Sequence, residues 1–443
     1  MEKCKKSKFF IKILPLVVIF FIILSVLFLI YVLNKKNTIK DDAAKEMARI
    51  EIELDDGAIL EEINNGDKHI EYSGTMKIYD GSFVVDGQKF IEYRVTIEGR
   101  GNSTWNNPKK PYQIKMNNKV SLLGMDKSKK WVLLANYFDK SYLRNDLALY
   151  FAEMVEEKYA NGGEFIELSI NGEPLGLYYL IEKVNVAKNS VNLRDDLGIL
   201  VEQDNLWSEC EAVSKNGGCF IVKDMVDESM REEALADFME KYNELEIAIK
   251  EEDFEKIERL IDVESFVKYY LISEFTVNPD AYVTSFYFYK DGKKDKIHAG
   301  PVWDFDFALA NADWGEWILA DNFSPENEME RRAAAEGGEY VKGDDILYLD
   351  VNSHISKLFY NLMDINKFRT EVKKYYQKYI LGKKNKILEH LKNQASYIEE
   401  KALEDEKIWK REEGEFKDEV KFLYDWVSRR LDFMDERYGA EKF

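Results

Sequence analysis

Acidic residues on either side of a β-hairpin signal give this sequence its clearest chemistry. Asn278-Pro279-Asp280 is followed by Ser285 and the run Phe286-Tyr287-Phe288-Tyr289. An Asp291-Gly292 turn and a second short strand through Ile297-His298-Ala299 then lead to Pro301-Val302-Trp303-Asp304-Phe305-Asp306. An acid on a loop, a polar side chain soon after it, and an acidic pair beyond a hairpin are the parts that phosphoryl transfer needs, in a workable order. Asp280 would accept or orient a hydroxyl proton, while Ser285, Asp304 and Asp306 would hold a divalent cation. The reaction asks for such a set because it depends mostly on positioning and on neutralising phosphate charge. Spacing alone leaves a plainer reading open, in which each acid caps a turn or faces water.

Regular elements must bring these loops together. Phe90 to Ile97 alternates between the turn signals Asp86-Gly87 and Glu98-Gly99, which predicts a strand. Tyr112 to Met116 also alternates, and places Lys115 on the face opposite Tyr112 and Ile114. Leu143, Leu147, Phe151, Met154 and Val155 recur at helical spacing, with Asp139 or Ser141 available to cap the start. Glu164 to Ile170 and Leu175 to Ile181 flank Asn171-Gly172, a pair that accepts the positive φ of a tight hairpin. Helical patterns then dominate: Leu235-Phe238-Tyr242-Leu245-Ile249, Phe254-Ile257-Ile261, and a C-terminal face of Val420, Leu423, Val427, Leu431 and Met434. The fold class expected is α+β, with a strand-rich N-terminal part and a helical C-terminal part. Residues 313–350 are acidic and weakly periodic, and read as an insertion.

With 443 residues, 45% of them hydrophobic, the chain can bury a large core. A formal net charge of -20 excludes a nucleic-acid partner, since that affinity requires cations to neutralise phosphates. A local basic pocket for one nucleotide stays compatible with it. Lys3, Lys5, Lys6, Lys8 and Lys12 precede an apolar run from Ile13 to Leu33, long enough to cross a hydrocarbon core of about 30 Å. The run ends without a small-x-small cleavage site, which favours an uncleaved signal anchor. The expected organisation is a cytoplasmic tail at 1–12, a transmembrane helix at 13–33, a linker at 34–48, and one large extracytoplasmic domain at 49–443. In that oxidising setting Cys210 and Cys219, flanking Lys215-Asn216-Gly217-Gly218, read as a disulfide.

Several separated motifs resemble the CotH kinase family. They are Arg100-Gly101-Asn102-Ser103-Thr104-Trp105, then Pro108-Lys109-Lys110-Pro111-Tyr112-Gln113-Ile114-Lys115, then Leu143-Arg144-Asn145. Asn171-Gly172 through Gly176-Leu177-Tyr178 to Glu182 follows, and Trp303-Asp304-Phe305-Asp306 completes the set. The resemblance runs from about Arg49 to the C-terminus. It implies a reduced, atypical protein-kinase-like fold of two lobes. It further implies transfer of phosphate from ATP, with Mg²⁺ or Mn²⁺, to Ser or Thr of secreted, surface or spore-coat proteins. Lys115 would contact the nucleotide phosphates, with Lys110 and Arg100 as further cations and Glu182 touching nucleotide or metal. Asp280 would be the catalytic acid, and Asp304 with Asp306 the metal pair. Ser285 stands where the kinase pattern prefers Asn, although a hydroxyl can also ligate Mg²⁺. Some relatives are better described as adhesins, so a non-catalytic surface binding or assembly protein is the alternative expectation.

Overall fold

The computed structural model describes residues 46–80, 89–160, 162–205, 209–312, 320 and 358–439. The apolar run at 13–33 lies outside the described residues, as do most of the expected linker and nearly all of the 313–350 segment. Among the described residues no helix is long and apolar enough to cross a membrane.

Seven strands close into a barrel. They are β1 (Ala48–Leu54), β2 (Tyr72–Tyr79), β3 (Ile91–Gly99), β4 (Tyr112–Val120), β5 (Ser128–Leu134), β6 (Gly163–Ile170) and β7 (Glu173–Glu182), in the order β1-β2-β3-β4-β5-β7-β6. Parallel pairing of β1 with β6, Ile50 opposite Leu168, completes the ring and leaves no free edge. Alternation fills the interior: Ile52, Met76, Ile97, Ile114, Trp131 and Leu180 are wholly buried there. The intervening residues point outward, Lys115 among them. A short helix, α1 (Leu60–Asn65), bridges β1 and β2.

The second part is more mixed than the helical pattern suggested. A five-stranded sheet runs through it, made of β8 (Gly198–Gln203), β9 (Ala212–Val213), β10 (Cys219–Met225), β11 (Phe286–Asp291) and β12 (His298–Ala299), ordered β12-β11-β8-β10-β9. Every residue of β8 is buried, so it lacks the alternation by which a strand declares itself. The β11–β12 hairpin forms where expected, with Tyr289 opposite His298. The Cys210–Cys219 disulfide is present, with Cα atoms 5.1 Å apart, and secures the start of β10.

Among the described residues, eight further α-helices surround this sheet and one flank of the barrel: α2 (Arg144–Met154), α3 (Arg231–Lys250), α4 (Phe254–Leu260), α5 (Val263–Thr276), α6 (Leu358–Asp364), α7 (Asn366–Tyr379), α8 (Lys384–Ile408) and α9 (Glu415–Met434). Helix α5 is their hub, buried continuously from Phe266 to Thr276. Asp262 caps it by accepting from the Ser265 amide at 2.8 Å. A fully buried ion pair, Arg430 to Glu274 at 2.7 Å, fixes α9 against it.

A second buried pair fastens the helical part to the barrel. Asp405 of α8 accepts from Lys109 Nζ, from the Tyr142 hydroxyl and from the Leu177 amide, each at 2.8 Å. Gly176 has φ 84°, and a Cβ there would lie 2.1 Å from Asp405 Oδ1, so only glycine lets the carboxylate approach. Asp405→Ala would strand the Lys109 ammonium in a fully buried site. The expected cost is about 3–5 kcal/mol, read as a lower urea midpoint at pH 7 with an unchanged m-value.

Candidate active site

A cleft of about 740 Å³ opens between the barrel and the second sheet. The barrel side supplies Arg100, Gln113, Ile181 and Lys183, and the sheet side supplies Glu202, Lys223 and Tyr287. Asp280, Ser285, Asp304 and Asp306 line it together. The acids placed far apart by sequence thus share one cavity.

Each acid arrives on a constrained loop. Helix α5 ends at Val277 with φ 46°, a left-handed conformation that a β-branched residue rarely adopts. The chain then turns through Asn278, whose side chain accepts from the Asp280 amide at 3.1 Å. Ser285 and Asp304 also hold positive φ, at 54° and 64°. Non-glycine residues in this region cost about 1–3 kcal/mol each and persist where the surroundings over-determine them, as at reactive sites.

Neutral amides hold the second acidic loop. Asn278 Nδ2 donates to the Asp304 carbonyl at 2.9 Å. Asn145 accepts from the Phe305 amide at 3.2 Å and donates to Asp306 Oδ1 at 2.8 Å. Asn311 Nδ2 donates to the Asp306 carbonyl at 2.5 Å. Such contacts fix the backbone without cancelling carboxylate charge. Arg144, beside Asn145, is wholly buried and binds Asp139 at 2.6 Å and the Leu309 carbonyl at 3.1 Å. Its role is to secure this loop from behind.

Electrostatic crowding marks the acids. Burial, then repulsion from Asp304, Asp306 and Asp204, pushes the Asp280 carboxyl up to about 7. Burial and Asp304 push Asp306 to about 7 as well, against a lowering contribution from Asn145. Asp304 is raised by burial, opposed by Arg100 and by Ser285, whose hydroxyl lies 3.5 Å from Oδ2. Arg100 is the cation that lowers Asp304 and Asp306. Its guanidinium lies 5.4 Å from the Trp303 ring centre, and burial pulls its pKa down from the ordinary value.

The family model described as CotH kinase protein matches residues 97–434, well over half of the chain. The chain belongs to the CotH kinase family. Among curated proteins none matches it. The matched segment of this CotH kinase-family chain begins in β3 and ends with α9, so it contains all of the cleft's lining residues except Lys68 and His69.

Not every family-motif residue reaches that cleft. Lys115 is half-exposed on the outer face of β4, ion-paired with Glu71 at 3.5 Å, because strand alternation sends it away from Ile114. Lys110 donates to the Trp105 carbonyl at 2.6 Å and lies over that indole ring, which makes it a clamp on its own loop. Glu182 shares the inward face of Tyr178 and Leu180 at the barrel end. Burial raises its carboxyl to about 7 while Ser128 donates to it, and it does not line the cleft. None of these three expected nucleotide contacts lines the cleft.

The residue after Glu182 does line the cleft. Lys183 follows Ile181 on the cleft-facing side of the chain leaving β7. Burial and the neighbouring charges of Arg100 and Lys130 lower its ammonium to about 8. The period-two rule applied to Ile181 would have located it. Glu202, paired with Lys223 at 2.5 Å, and Asp204, which accepts from Thr284 Oγ1 at 2.9 Å, were also missed, since β8 itself was not foreseen.

The donor set fits a hard divalent cation. Carboxylates and a hydroxyl are oxygen ligands, suited to Mg²⁺ or Mn²⁺ and unsuited to soft metals. Among the described residues no three His, Cys, Asp or Glu side chains converge into a ready-made metal cage. Mg²⁺ ordinarily uses one or two carboxylates with substrate phosphates and retained water, so a cage is not required.

Proposed function

We propose that this chain is an ATP-dependent protein kinase that phosphorylates Ser or Thr of proteins outside the cytoplasm. One observation carries the reading: a single cleft joins the Asp280, Asp304 and Asp306 carboxylates to a cationic edge of Arg100 and Lys183. Three buried acids that repel one another cost stability, a burden with no use in a surface scaffold. The barrel and the α5-centred core would be the two lobes of a reduced kinase-like arrangement. The Cys210–Cys219 disulfide and the apolar run at 13–33 support an extracytoplasmic domain on a membrane anchor.

In this scheme Arg100 and Lys183 grip the phosphates from the barrel side. Asp304 and Asp306, with Ser285, would hold the divalent cation. When bound, it would supply positive charge to offset that of the phosphates. Asp280 orients the incoming hydroxyl and takes its proton, a task for which a pKa near 7 is well matched. Among the described residues no donor is hydrogen-bonded to the Asp280 carboxylate, which leaves it open to substrate.

Incubating the full chain with γ-labelled ATP, Mg²⁺ or Mn²⁺ and casein-like Ser-rich protein tests the proposal. Label should appear on Ser or Thr only with the metal present. ATP binding without transfer to any acceptor, the chain itself included, would argue for the binding-protein alternative.

The phosphate contacts have their own test. Lys183→Met should weaken ATP binding by about tenfold or more, as loss of one charge-assisted contact does. Lys115→Met should leave it unchanged, because that ammonium lies outside the cleft. Isothermal titration with ATP and Mg²⁺ separates the two, and the reverse ranking would reject this assignment.

A further inference from the structure

A second cavity, of about 610 Å³, lies beside the cleft. Its walls include Lys158, Tyr159, Lys188, Ser190 and Arg194, together with Asp126 and Asp291. The strap from Lys183 to Arg194 leads from one cavity to the other. Lys183 and Val184 face the cleft, whereas Lys188, Asn189, Ser190 and Asn192 face the basin. The strap is held in shape by Val186 pairing with Val191 and by the Val186 amide donating to Asp224 at 2.9 Å. Strand β11 forms a common floor, with Tyr287 in the cleft and Tyr289 packed against Tyr159 beyond it. Two residues of strand put these positions about 7 Å apart.

The basin's polar groups are unspent. Among the described residues, Lys158, Lys188 and Arg194 have no acid within ion-pair distance. Lys158 instead stands 4.8 Å from the Tyr159 ring centre and 5.6 Å from that of Tyr289. Ser190, only 2% exposed, lines the basin with a hydroxyl that has no hydrogen-bond partner. Asp291 is already occupied, since its Oδ1 accepts from the Arg194 and Asp195 amides at 2.7 and 2.8 Å. On a chain with net charge -20, these three cations, against Asp126 and Asp291, leave the basin lining with a positive excess. An acidic surface elsewhere would repel an acidic partner.

We propose that this basin docks an acidic segment of the protein substrate, holding it while a neighbouring Ser or Thr enters the cleft. The proposal rests on the kinase reading for the second half of that statement, and the test keeps the two apart. Fluorescence anisotropy of the full chain is measured, without nucleotide, with a labelled peptide carrying one Ser among Glu residues. Peptides with Gln or Lys in place of Glu serve as controls, and ATP binding is titrated separately.

The Glu peptide should bind at least about tenfold more tightly than the others, and more weakly as salt rises from 50 to 300 mM, as screening demands. The double variant Lys188→Glu, Arg194→Glu should lose that preference. Both side chains are exposed, so its urea midpoint and ATP affinity should match those of the parent. Ser190→Ala, tested alone, should weaken the Glu peptide about two- to fivefold with no loss of fold. Equal binding of Glu and Gln peptides, or an unchanged preference in the double variant, would overturn the docking site whatever ATP does. Glu-peptide binding that persists in a chain unable to bind ATP would support the basin and reject only the kinase reading.

Discussion

Asp280→Asn should lower turnover by about 10²–10⁴-fold while leaving ATP affinity within about twofold, the signature of losing a general base. Asn preserves the shape of the side chain and cannot take a proton. The Asn278 contact is to the Asp280 backbone amide, so the loop should keep its course. The substitution should also change how stability depends on pH. Folding raises this carboxyl from 3.8 to about 7, so between those values the folded state holds a proton that the unfolded chain has released. Its contribution is therefore largest below the unfolded value and is lost as pH rises through about 7. The variant lacks that loss and should be the more stable of the two at pH 8, with little difference at pH 4. Initial rates with labelled ATP and urea midpoints at the two pH values test both statements. Parent-like turnover would remove Asp280 from the chemistry.

Strands β3, β4, β6 and β7 and the last helix were legible because each buries one face. Glu164 to Ile181 shows both alternation and an Asn-Gly turn, and β6 and β7 fall where these signals put them. The C-terminal stripe likewise became α9. Barrel closure was not legible. It depends on β1 meeting β6 in parallel across more than a hundred residues, a pairing that no local pattern encodes. Strand β8 was hidden for a different reason, because burial on both faces erases the period.

The candidate site divides along similar lines. Asp280, Asp304 and Asp306 could be found because turn signals and a hairpin set their spacing, and the cleft contains all three. The cations were harder to place, since a motif gives residue identity but not side-chain direction. Lys109, Lys110 and Lys115 are close neighbours in sequence, yet one pins α8, one clamps a loop and one faces water. Lys183 belongs to no quoted motif, and its value comes from what the fold brings beside it. Asn145 shows the converse. Its motif was recognised, but its work of holding the Asp304–Asp306 loop appears only when sequence-distant backbones meet.

Asp304→Asn is the substitution expected to stop transfer, by about 10²–10³-fold or more, because it removes the charge best placed to hold the cation. Asp304 is fixed by its own left-handed backbone and by Asn278, and Arg100 and Ser285 both face it. Asp306 shares its charge with the Asn145 amide, so Asp306→Asn should reduce activity less. Ser285→Asn should keep activity or lower the Mg²⁺ requirement, since an amide oxygen can replace the hydroxyl at 3.5 Å from Asp304. Thermal shift provides a readout independent of turnover. Burial raises both carboxyls, Asp306 to about 7, so protons compete with Mg²⁺ at Asp306 more at pH 6 than at pH 8. The rise in Tm on adding Mg²⁺ and ATP to the parent should therefore grow from pH 6 to pH 8. In Asp304→Asn it should be small at both. Equal Mg²⁺-dependent shifts and equal label incorporation in parent and variant would show that these carboxylates hold no metal, and the kinase assignment would fall with them.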